Sequence, residues 1–290
     1  MKKVLFVVLL LVGAGLLLFT KKGKVVQNVA KSYIIPTNYV NEAGNTVMER
    51  VTVPDGYARD LYAEGSFQDY VRNYQLKPFG AKVIKYDGNE YAYQKGHIGV
   101  LEIPVPKNGL QQCADALIRM RAEYLWQQDK QEDIGFNFTS GHYCSWIDYA
   151  NGLRPKINGN RVTFEKIAQV DHSERNFYRY LNLIYIYAGT QSLFDELKPV
   201  KTISEVQVGD MIIKPGSPGH VVMIVDVATN EEGEKLFILA QGNTPAQSVH
   251  ILKNLSDSQL SPWYELEMGA YLEIPTYYFT KTQLVRFKGL

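Results

Sequence analysis

The stretch from residue 209 to 242 constrains this chain more than any other. Gly209-Asp210 leads into Met211-Ile212-Ile213, and Pro218-Gly219 leads into His220-Val221-Val222-Met223-Ile224-Val225-Asp226. After a polar turn comes Leu236-Phe237-Ile238-Leu239-Ala240-Gln241-Gly242. Three short runs rich in Ile, Val and Phe, separated by Gly, Pro, Asn and Glu, predict three strands of one buried antiparallel sheet. Two polar side chains interrupt the apolar pattern at strand ends: His220 opens the second run and Gln241 closes the third. An imidazole and an amide at the ends of neighbouring strands are the raw material of a site.

The rest of the chain supplies what such a sheet must pack against. Residues 109–126 read as a helix, with Leu117, Met120 and Tyr124 on the same face as Cys113, and with Arg119 and Glu123 placed to pair at i, i+4. Residues 173–188 read as a second long, aromatic helix, and 66–72 as a short one capped by Ser66. Asp87-Gly88-Asn89 and Asn158-Gly159-Asn160 are hairpin signals, and residues 46–53 alternate like a strand. The order of strands, helices and then sheet predicts an α+β fold. We read a signal anchor or signal peptide at 1–20, a tether at 21–45 and one domain at 46–290. Within that domain lie N-terminal strands and a hairpin (46–106), a helical part with Cys113 (107–200) and the sheet with His220 and Gln241 (201–290).

The N-terminus carries Lys2-Lys3, an apolar run at 4–19 and then Lys21-Lys22-Gly23-Lys24. This predicts export to the cell envelope, with the chain anchored by residues 4–20 or periplasmic after cleavage. A formal charge of +1 gives no basic face for nucleic acid. The two cysteines, Cys113 and Cys144, form no CxxC, and no histidine pair has zinc-ligand spacing, so neither a metal nor another cofactor is expected.

Cys113 falls in the first turn of its helix, where unpaired N–H groups favour a thiolate. His220 would accept the thiol proton and Gln241 would orient the ring, with the Cys113 N–H and the Gln111 or Gln112 side chain at a developing oxyanion. Arg119 and Arg121 are candidates for a substrate carboxylate clamp, and Trp263 for a stacking platform. An inert buried thiol and a Cys113–Cys144 disulfide stand beside the nucleophile reading.

This order of helix-borne Cys, strand-borne His and a polar residue on the next strand resembles the papain-like superfamily. Residues 209–221 resemble the second half of its NlpC-type and CHAP-type cell-wall amidases. The resemblance implies a papain-like helix packed on a central antiparallel sheet, here with inserted helices. It also implies metal-free cleavage of peptide or amide bonds, with peptidoglycan peptides as substrate. A second resemblance spans nearly the whole soluble part. Leu110-Gln111-Gln112-Cys113-Ala114-Asp115-Ala116, Arg119-Met120-Arg121-Ala122-Glu123-Tyr124-Leu125, Tyr187-Ala188-Gly189-Thr190, Pro218-Gly219-His220, Leu239-Ala240-Gln241 and Ser261-Pro262-Trp263-Tyr264 look like the domain-of-unknown-function family 4846. That family is found mainly in exported proteins of Bacteroidetes-type bacteria and implies no established activity. Cys113, His220 and Gln241 fall inside its motifs and Cys144 outside them. Three functions follow as expectations: a cell-envelope cysteine hydrolase; a non-catalytic envelope protein that binds a glycan or peptide or serves as a scaffold; and acyl transfer through the same cysteine, with an amine in place of water.

Overall fold

The computed structural model describes residues 21–290. The apolar run at 4–19, and the anchor reading placed on it, lie outside the described residues. Among the described residues no helix is long and apolar enough to cross a membrane.

The N-terminal third carries α1 (Lys21–Ile34), α2 (Val47–Arg50), β1 (Tyr57–Arg59), α3 (Phe67–Arg72) and β2 (His97–Val100). The middle carries α4 (Cys113–Gln127), β3 (Gly135–Asn137), β4 (Tyr143–Ser145), α5 (Trp146–Ala150), β5 (Leu153–Asn158), β6 (Arg161–Lys166), α6 (Glu174–Tyr187) and α7 (Thr190–Glu196). The last third is mostly sheet: β7 (Lys198–Val200), β8 (Met211–Lys214), β9 (His220–Asn230), β10 (Lys235–Gln241), β11 (His250–Leu252), β12 (Leu272–Ile274), β13 (Tyr277–Phe279) and β14 (Leu284–Arg286). The fold is mixed α and β around a mainly antiparallel sheet, as the element order predicts.

The main sheet runs β2-β11-β10-β9-β8-β14-β7, with β1 paired to the far end of β9. The predicted three-strand block is its centre, and β8, β9 and β10 pair antiparallel. Residues His220 to Ala228 are all buried, which explains why β9 reads as a continuous apolar run and not as an alternating one. Each fully buried Val or Ile there contributes about 1.5–3 kcal/mol. α2, α3 and α4 pack on this strand. The one charged group inside β9, Asp226, sits between Arg59 Nε at 2.7 Å and Arg72 Nε at 2.8 Å, tying β1 and α3 to the sheet. Its carboxylate, which the sequence also offers as a partner for His220, is taken up by these two arginines.

Two local readings are corrected. Residues 46–53 are not a strand: α2 forms there because Thr46 Oγ1 accepts from the Glu49 N–H at 3.2 Å while Glu49 Oε2 accepts from the Asn45 N–H. The Thr-x-x-Glu capping pattern outweighs the alternation. Residues 140–150, which read in sequence as one short helix, are helical only from Trp146, because Ser145 caps the helix and residues 143–145 pair as β4 with β3. The hairpin at 158–160 forms as β5–β6. The segment read as a tether opens with α1, a helix held to the domain by Tyr93 Oη on the Asn28 carbonyl and by Lys253 Nζ on the Ser32 and Ile35 carbonyls.

Candidate active site

α4 is the helix on which the site depends. Gln112 is its extended N-cap residue, and its backbone N–H donates to Asp115 Oδ2 at 2.9 Å, a carboxylate in the first turn that also favours the helix dipole. Cys113 is therefore the first helical residue, as the spacing predicts. Residues Cys113 through Ala122 are all buried, so α4 is wrapped on every side. The expected Arg119–Glu123 pair forms at 2.8 Å.

One glycine lets this helix start meet the sheet, and a second seats the start of β9 against α7. A Cβ on Gly242, just past β10, would lie 3.1 Å from the Gln112 carbonyl oxygen and 3.5 Å from Cys113 Cα. The close approach seats the helix N-terminus on the end of β10. A Cβ on Gly219, just before β9, would meet Thr190 Oγ1 at 2.0 Å and the Gly216 carbonyl oxygen at 2.5 Å. Replacement of Gly219 by alanine is therefore expected to push the first residue of β9 off α7 and to destabilise the protein by about 2 kcal/mol or more. Urea unfolding measures this, and an unchanged midpoint would refute the packing argument.

Cys113, His220 and Gln241 thus come to one place. The Cys113 thiol lies beside the backbone N–H of Val221, the residue after His220. His220 Nε2 is 2.7 Å from Gln241 Oε1. No hydrogen bond joins Cys113 Sγ to the His220 ring, and the two residues are 7% and 3% exposed. Both cysteines are free, so no Cys113–Cys144 bridge forms. Burial, with the Asp115 charge second, pushes the Cys113 thiol up to about 11, against the opposing backbone N–H groups. Burial also pushes His220 down to about 4, against the Gln241 hydrogen bond. The resting pair is a neutral thiol and a neutral imidazole.

Residues without an assignment from sequence complete the surroundings. The His220 ring packs on Tyr277 at 4.6 Å between centroids and on Phe279 at 6.0 Å, both from β13. Gln241 Nε2 reaches His250 Nε2 at 3.3 Å and Thr276 Oγ1 at 3.0 Å. Asn243, a second amide close to the end of β10, donates to Thr276 Oγ1 at 3.2 Å. His250 lies opposite Gln241 in the β10–β11 pairing. That register was the only signal for it, and it is visible only once the pairing is known. Asp115 holds one oxygen buried without a partner, and burial raises its carboxyl to about 7. Its sequence signal was the position three residues past the helix cap.

The proposed substrate contacts fare differently. Gln112 stays at the rim, its Oε1 accepting from Thr244 Oγ1 at 2.8 Å. Gln111 is fully buried and bonded to Pro104 and Arg119, away from any oxyanion position. Arg119 is no carboxylate clamp, since Glu123, the Pro104 carbonyl and Gln111 occupy its guanidinium. Arg121 is held by the Lys288 carbonyl and stacked near Phe67, Tyr124 and Phe287, where it lines a cleft of about 620 Å³ that does not include Cys113. Trp263 is fully buried, with Nε1 donating to the Thr52 carbonyl at 2.9 Å, so it offers no stacking surface. Among the described residues no group of three His, Cys, Asp or Glu is placed to hold a metal ion.

A family model described as a domain of unknown function (4846) matches residues 47–286, the whole of the folded part from α2 to β14. The chain belongs to that family. No curated protein and no solved structure matches it.

Proposed function

We propose that the chain is a cysteine hydrolase of amide or peptide bonds, papain-like in its site, acting on peptidoglycan peptides in the cell envelope. One observation carries the reading. A helix-first thiol is packed against the opening of β9, where the adjacent imidazole is held through Nε2 by Gln241. The Nε2 bond leaves Nδ1 of His220 as the base. Cys113 is the nucleophile, His220 the base and then the acid, and Gln241 positions the ring.

In the reaction, the thiol leaves the Val221 N–H and gives its proton to His220 Nδ1 as Sγ attacks the carbonyl carbon. The oxyanion gathers at the helix start, where the Cys113 N–H points and Gln112 forms the rim. The C–N bond breaks, the amine takes the proton from His220, and an acyl thioester remains. Water, deprotonated by His220, then attacks the thioester and releases the acid and the thiol. Because the resting pair is neutral, proton transfer accompanies attack and does not precede it.

The burial of both reacting groups favours a second reading, an envelope scaffold in which the same residues only hold α4 to the sheet. Digestion of purified peptidoglycan, read by mass spectrometry, separates the two. The hydrolase reading expects new amine-ended fragments with the wild type and none with Cys113→Ala or His220→Ala. Identical fragment patterns from all three proteins would leave the scaffold.

A further inference from the structure

We propose that His250 is a positioning residue for His220: acting through Gln241, it fixes the imidazole tautomer that leaves His220 Nδ1 unprotonated. The catalytic use of that tautomer rests on the hydrolase reading; the tautomer itself does not.

The chain of hydrogen bonds begins at a group whose role cannot change. The Ser248 backbone carbonyl only accepts, and it lies 2.9 Å from His250 Nδ1. His250 therefore carries its proton on Nδ1. His250 is buried, and burial depresses its pKa to about 4, so the ring is neutral and Nε2 keeps a lone pair. The group 3.3 Å from that lone pair must donate, which places the amide nitrogen of Gln241 there. The second amide hydrogen goes to Thr276 Oγ1 at 3.0 Å. With both its hydrogens spent, Gln241 turns its oxygen to His220, and an oxygen 2.7 Å from Nε2 requires Nε2–H. A neutral His220 then has its lone pair on Nδ1.

The opposite arrangement fails at a definite point. If Gln241 were flipped, its amide nitrogen would donate to His220 Nε2 and force the proton onto Nδ1, ending that atom's use as a base. The amide oxygen would then face the lone pair of His250 Nε2, two acceptors at 3.3 Å. Relief would require moving the His250 proton to Nε2 and leaving the buried Ser248 contact without its donor. His97, whose ring lies 5.8 Å from that of His250, does not supply an alternative. It makes no bond to His250, and its Nε2 faces Gln94 Oε1 at 3.4 Å. Sequence places these groups far apart, and only the β10–β11 register brings them into one line.

The test reads the tautomers directly in the full chain labelled with 15N-histidine, by two-bond proton–nitrogen correlation near neutral pH and without substrate. The expected result is Nδ1–H on His250 and Nε2–H on His220. In His250→Leu the Gln241 amide loses its acceptor, so His220 should show both tautomers, and peptidoglycan hydrolysis should fall tenfold or more. His250→Gln, whose side-chain oxygen can accept in place of Nε2, should restore the single tautomer. A wild-type His220 protonated at Nδ1 overturns the proposal, whether or not the leucine variant folds. An unchanged His220 tautomer in His250→Leu overturns it as well. The expected tautomers in a protein that cleaves nothing would uphold the positioning role and refute the hydrolase reading alone.

Discussion

Trp263→Ala should lower the unfolding free energy by about 3–5 kcal/mol, the range for emptying a fully buried aromatic site. The indole has no exposed surface, and its Nε1–H donates to the Thr52 carbonyl. Its backbone is fixed from both sides: the N–H bonds the Leu260 carbonyl and its own carbonyl accepts from Asn254 Nδ2 at 2.7 Å. The next residue, Tyr264, exchanges two backbone bonds with Phe237 of β10. The surroundings are thus held in place and cannot collapse into the space the indole leaves. Trp263→Phe should cost less, about 1–3 kcal/mol, through a smaller void and a carbonyl left without its donor. Urea denaturation followed by circular dichroism measures both. If alanine at this position lowered substrate affinity but left stability intact, Trp263 would be a binding residue after all.

Cys113 should react with iodoacetamide at pH 7 at least about 100-fold more slowly than a thiol of ordinary pKa, because a pKa near 11 leaves so little thiolate. The sign follows from the causes. Burial comes first and Asp115 second, both opposing the anion, and the Val221 and Ala114 N–H groups recover only part. The rate should climb about tenfold per pH unit until the thiol titrates. Asp115→Asn should speed labelling above pH 7, where the native carboxylate is ionised and repels the thiolate. Cys144, pushed to about 12 by burial and then Asp148, should lag behind Cys113. Rapid labelling of Cys113 at neutral pH would mean a resting thiolate–imidazolium pair, and the concerted transfer proposed above would be wrong.

The contrast between these two residues shows what the sequence could carry. The three central strands were legible because β9 is buried on both faces and its apolar run leaves no other choice. The Cys113 helix was legible from its period, and the hairpin at 158–160 from its turn residues. Within the site, Cys113, His220 and Gln241 stood out as polar groups at the ends of apolar elements, and the fold brings them together. The side chains of Trp263 and Arg119 are engaged inside the fold, and Arg121, on the wall of a cleft away from Cys113, is held by the Lys288 carbonyl. Residue type says what a side chain can bind, whereas its partners here are backbone carbonyls and neighbours set by the fold. The place of His250 is not legible in the sequence for the complementary reason. Nothing next to it in sequence is unusual, and its role comes from a cross-strand register. The short helix α2 is signalled in the sequence by its Thr46–Glu49 cap, which outweighs the alternation around it.

The docking of α1 gives the fold a load path. Lys253 Nζ grips the carbonyls of Ser32 and Ile35 at the end of that helix, and Lys253 directly follows β11. A pull along α1 meets Tyr93 and Ile274 at Asn28 and then, through this grip, the residue that follows the strand bearing His250. From there one cross-strand pair leads to Gln241 and the ring of His220. Such a pull therefore bears on the side of the site that sets the imidazole, while the thiol rides on α4, a separate element buried from Cys113 to Ala122.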